Sequence, residues 1–141
     1  MRWENLAKPK QELYILDRGG QMIFYFSNAK DKDSDDDQSK LLTASYLTGV
    51  LQFAKAVSGN LISSFEMGKS DIFLKKGEKI DLFYVLIAEK KVKMNEKKAD
   101  KSLTVIVEEF EHCYTLDDIS NWDGDLDACI EFTPFVKKFL K

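Results

Sequence analysis

Three stretches of this chain carry residue types that could do chemistry. Gly68-Lys69-Ser70 has the ending of a phosphate-binding loop, whose backbone N–H groups cradle phosphates while the lysine reaches the outer ones. That loop needs a first glycine five residues earlier, where this chain has Ser63. The aspartates at 31, 33, 35, 36 and 37 alternate as in a calcium loop, which needs glycine at its sixth position and a bidentate glutamate at its twelfth. Counting from Asp31 gives Asp36 and Leu42, and counting from Asp33 gives Gln38 and Ala44, so both registers fail. A solvated, self-repelling loop is the expectation. His112 stands next to Cys113, but adjacent helical positions point about 100° apart and do not pair as base and nucleophile.

The cysteines, Cys113 and Cys129, are too few for a disulfide framework or a four-ligand zinc site. Both lie in segments of helical periodicity, and we expect buried, reduced thiols. With no glycine-rich phosphate loop, acid–base pair or metal cluster, the expectation is no enzyme, no cofactor and no metal.

The totals bound the rest. A chain of 141 residues is long enough for one domain with a core of its own. Its 44% apolar and 32% charged residues describe an ordinary soluble globular protein. A net charge of −3 argues against nucleic acid as partner. The apolar runs are too short for a transmembrane helix, and the first residues lack the apolar core of a signal peptide, so a cytoplasmic protein is expected.

The elements that must position any site organise around Leu82 to Ala88, an unbroken apolar run rich in Phe, Tyr, Val and Ile. Such a run suits a central strand covered on both faces. Before it, residues 1–12 form a polar lead-in. Leu13–Leu16 and Gln21–Phe26 make a hairpin across Asp17-Arg18-Gly19-Gly20. Lys40 to Ser58 is an amphipathic helix, capped by Ser39 and ended by Gly59-Asn60, with Leu42, Tyr46, Val50, Phe53 and Val57 on its apolar arc. Leu47, Leu51 and Ala54 widen that arc, and Ser45, Thr48, Gln52 and Lys55 form the polar stripe. Strands at 61–67 and 71–75 then lead into 82–88 as an antiparallel meander.

Residues 89–101 read as a basic loop, where contact with an anionic membrane surface competes with simple solvation. With Asp100 as cap, residues 101–114 form a helix burying Leu103, Ile106, Val107, Phe110 and Cys113 or Tyr114. An acidic loop around Ile119 and Trp122 follows. Asp125 caps a segment burying Leu126, Cys129, Ile130 and Phe132, and the helix restarts at Thr133-Pro134.

The predicted fold class is therefore α+β: a five-stranded antiparallel sheet in the order β-β-α-β-β-β-α-α with helices on both faces. This order resembles the longin domain, the SNARE-like fold of trafficking proteins. Leu13-Tyr14-Ile15-Leu16-Asp17-Arg18-Gly19-Gly20 is similar to the longin opening hairpin, and Leu47-Thr48-Gly49-Val50-Leu51-Gln52-Phe53-Ala54 to its first helix. Ile72-Phe73-Leu74-Lys75-Lys76-Gly77, running into 82–88, is similar to its final hairpin. The neighbouring roadblock fold places a helix before the first strand, for which residues 1–12 with Pro9 are a poor sequence.

The resemblance implies one stand-alone longin-like domain over 13–141, similar to archaeal and eukaryotic relatives. It implies an interaction module of vesicle trafficking or small-GTPase regulation. Its partner would be a small GTPase, another longin or roadblock subunit, or a second copy of itself, met through the sheet edge or first helix. Tyr46, Thr48, Gln52, Lys55, Glu66 and Lys69 are the candidate contact residues. A ligand-sensing domain of profilin or PAS kind is the alternative.

Overall fold

The computed structural model describes residues 10–17, 19–28, 47–49, 52, 64–121 and 129–140. Five strands, β1 (Gln11–Leu16), β2 (Met22–Ser27), β3 (Ser64–Met67), β4 (Ser70–Lys76) and β5 (Phe83–Glu89), form one sheet in the order β2-β1-β5-β4-β3. Every pairing is antiparallel. The strand that comes last in sequence thus sits in the middle, with Leu86 opposite Leu13 on one side and Phe73 on the other.

Successive residues of β5 feed opposite faces of the sheet. Tyr84 and Leu86 join Leu13, Ile15 and Phe73 in one core, beneath α1 (Glu96–Cys113) and α3 (Thr133–Phe139). Phe83, Val85 and Ile87 join Tyr14, Leu16, Met22, Ile72 and Leu74 in the other, with the helical residue Leu47 packed on them. Burial on both faces is why the run does not alternate. In the first core the Phe132 ring stands edge-on to Phe110 at 5.2 Å and to Phe24 at 5.4 Å, tying α1 to β2.

The hairpin turn forms as its residues dictate. Oδ1 of Asp17 accepts from the backbone nitrogens of Gly19 and Gln21, both at 2.9 Å, and Gly20 takes φ +90°. Residues 1–9 and 29–46, most of the 40–58 helix and residues 122–128 with their Asp125 cap lie outside the described residues.

Several expectations need correction. The segment 89–101 is not a loop: Glu89 ends β5, Lys90–Val92 is a 3₁₀ turn, and α1 starts at Glu96. Asp100 does not cap it. Asn95 does, its side chain accepting from Lys98 N at 2.8 Å, because burial of Ala99 carries the apolar stripe back one turn beyond Leu103.

Cys113 is exposed, since the buried stripe ends at Phe110. The expected acidic loop contains α2 (Leu116–Ser120), opened by a reciprocal pair in which Thr115 Oγ1 accepts from Asp118 N and Asp118 accepts from Thr115 N. Ile130, expected inside, is exposed on a 3₁₀ turn (Ile130–Phe132). Thr133 is already helical and does not cap the start of α3, while Pro134 fits the first turn of α3 as expected.

Candidate interaction surfaces

Of the six candidate contacts, Tyr46 and Lys55 lie outside the described residues. Gln52 is exposed. Thr48 is not on a solvent face: it is 4% exposed and packs against the β1–β2 turn, where a Cβ on Gly20 would meet it at 3.4 Å. Its Oγ1 has no hydrogen-bond partner among the described residues.

Glu66 and Lys69 are exposed, and the structure brings both to Lys90. Glu66 Oε2 lies 3.2 Å from Lys90 Nζ, and the Lys69 carbonyl accepts from Lys90 N at 2.9 Å. They form the β3 end of the sheet with the 3₁₀ turn and are well apart in role from Thr48. An exposed ion pair of this kind contributes at most about 1 kcal/mol, so it leaves both side chains open to exchange for a partner.

Sequence reasoning missed a cluster at the other end of the molecule. Glu111, on α1, reaches the β4–β5 turn, and its Oε2 accepts from the backbone nitrogens of Lys79 at 2.9 Å and Ile80 at 3.0 Å. With Glu78, Lys79, Glu108 and His112 it borders an open cleft of about 430 Å³. A second open cleft, of about 300 Å³, lies between β4 and the start of α1, lined by Phe73, Leu74, Ala99, Leu103 and the charged Glu96, Lys97 and Asp100. Of its lining residues, Asp100 pairs with Lys75 at 3.0 Å, and Glu96 accepts from Ser64 Oγ at 2.6 Å. Charged rims on both clefts suit polar partner contacts.

At the β1–β2 edge, Tyr25 OH donates to Glu12 Oε2 at 2.6 Å, with the Tyr14 ring 4.9 Å from that of Tyr25. Burial, with the Glu12 carboxylate beside it, pushes the Tyr25 phenol well above its ordinary range. Burial does the same to Tyr84, with help from Glu111 and Cys129.

The thiols are not primed for attack. Burial raises Cys129 to about 11. Burial and the Glu109 carboxylate raise Cys113, whose Sγ donates to Glu109 Oε2 at 3.4 Å rather than engaging His112. Among the described residues no group of three or more His, Cys, Asp or Glu is arranged to hold a metal ion, and no helix is long and apolar enough to cross a membrane. Compared with known proteins, the chain matches no family model and no curated protein.

Proposed function

We propose that this chain is a longin-type interaction module, without chemistry of its own, that works by pairing with a partner subunit or by docking a small GTPase. The observation that carries the reading is the strand order β2-β1-β5-β4-β3, with α1 and α3 on one face and Leu47 of the first helical segment on the other. The last strand lies between β1 and β4, near the middle of the sheet as its unbroken apolar run predicts, and β2 and β3 are left as the two edges. The exposed Gln52, Glu66 and Lys69 remain the contacts this reading would use, and Thr48 leaves the set because it is buried. Trafficking assemblies and a cytoplasmic setting come with the reading.

The test is capture of small GTPases, loaded with GDP or a non-hydrolysable GTP analogue, together with capture of longin and roadblock subunits and a mass in solution. Binding in one nucleotide state, or a stable pair with a second subunit, is the expected result. A strict monomer that captures none of them ends the proposal.

A further inference from the structure

Apart from Glu96 and Asp100 in the first two turns and His112 in the last, the charges on α1 are sorted by end, and in the wrong sense for the helix itself. Lys97, Lys98 and Lys101 stand in its first two turns, and Glu108, Glu109 and Glu111 in its last two. A helix carries a partial positive charge at its N-terminus and a negative one at its C-terminus, so both groups oppose the macrodipole. Lys97 and Lys101, four residues apart, repel each other as well. Helix stability therefore does not explain the pattern.

Nor do contacts within the fold explain all of it. Glu96 and Asp100 turn to Ser64 and Lys75, and Glu111 holds the β4–β5 turn. Lys97, Lys98, Lys101 and Glu108 are exposed and make no ion pair among the described residues. At about 100° per residue, Lys98, Lys101, Val105, Glu108 and His112 share an outward arc of about 80°. At its midpoint Val105 is 39% exposed, an apolar side chain with basic residues on one side and acidic ones on the other.

We propose that α1 pairs antiparallel with α1 of a second copy of this chain, with Val105 on the two-fold axis. A two-fold interface must be self-complementary, and a helix basic at one end and acidic at the other is so only when antiparallel. In that register Lys101 faces Glu109 of the other copy, a half-buried residue about 20° outside the arc. The exposed Glu108 is one residue away, Lys98 faces His112, and the symmetry makes each contact twice. The two Val105 side chains meet at the centre. One helix pair with a single apolar contact is a small interface, so the dimer is weak and strongly salt-dependent, with a dissociation constant on the order of tens of micromolar.

The inference gives the interaction-module reading a self-association surface, yet its test does not depend on a GTPase. Self-association without GTPase capture would remove only the GTPase reading, and GTPase capture by a strict monomer would remove only this one.

Sedimentation of the full chain from about 10 to 500 µM, in about 50 mM and about 500 mM salt, measures the dimer. We expect concentration-dependent dimers whose dissociation constant rises at least about tenfold at the higher salt. The double variant Lys98→Glu, Lys101→Glu should be monomeric, and so should Glu108→Lys, Glu109→Lys. An equimolar mixture of the two should dimerise again, as should the chain carrying all four substitutions. Each reversal agrees with the helix dipole, so helical circular dichroism should persist. Where a variant loses it, the salt response of the unaltered chain decides. A monomer at every concentration overturns the proposal, as does a dimer that survives either reversal or a mixture that forms no mixed dimer.

Discussion

The carboxylate of Glu111, on α1, lies 3.0 Å from the backbone nitrogen of Ile80, and the same oxygen accepts from Lys79 N at 2.9 Å. One side chain thus satisfies two turn amides and pins the β4–β5 connection to a helix more than thirty residues away in sequence. The turn would otherwise present these N–H groups beside a buried Ile80 side chain.

Glu111→Ala removes the acceptor from both amides and should cost about 1–3 kcal/mol, because charge-assisted bonds are among the stronger ones. Glu111→Gln keeps an acceptor oxygen and should lose less. Chemical denaturation reads the stability, and hydrogen exchange should speed up at Lys79 and Ile80 rather than along β5.

Gly77 and Gly49 should respond to alanine with opposite signs. A Cβ on Gly77 would lie 2.3 Å from the Ile80 carbonyl oxygen, a backbone atom that the Gly77 N to Leu82 O bond helps hold in place. Gly77→Ala should therefore lower stability by about 1–3 kcal/mol. Gly49 is helical with open space around it, so Gly49→Ala should raise stability by about 0.5–1 kcal/mol. Thermal melts of the two variants side by side are the check.

Thr48→Val replaces a buried hydroxyl that lacks a partner among the described residues by a methyl of the same shape. Stability should hold or rise by up to about 1 kcal/mol, since no satisfied hydrogen bond is broken. Partner capture should be unaffected. A loss of capture with the fold intact would return Thr48 to the contact set.

Alkaline pH should destabilise the fold through Cys129. Burial raises this thiol from the usual 9.0 to about 11. Between those values the unfolded chain has released the proton and the folded chain keeps it, so stability is full below pH 9 and falls towards pH 11. Tyr114, pushed up to about 12 by burial and by Cys129, extends the fall. Denaturation midpoints of the unaltered chain should drop across this window, and those of Cys129→Ala should drop less.

The strands could be read from sequence because burial on both faces leaves an unbroken apolar run, and Gly-rich turns bound it. The start of α1 could not. Asn95 and Asp100 are both good caps, and the lysines between them read as loop until the structure shows Ala99 filling a place in the core.

Thr48 was misplaced for a related reason. Polarity put it on the outer stripe, but the β1–β2 turn folds over that side of the helix, where its side chain packs against Gly20. The Glu111 clamp leaves little trace in sequence, since it needs the turn and the helix to meet in space. Of the proposed contacts, only the exposure of Gln52, Glu66 and Lys69 was foreseeable, because a surface residue needs no partner to be placed.

The central position of β5 also bears on how the chain folds. Leu13 finds its partner Leu86 about 70 residues later, so the pairing that closes the sheet is among the most distant in sequence and carries a large loop-closure cost. Until β5 arrives, the β1–β2 hairpin and the β3–β4 hairpin are separate ribbons with open inner edges, and each two-stranded unit is marginal alone. Folding should thus be late and abrupt: during synthesis the two ribbons wait, and the arrival of one strand joins them into a sheet.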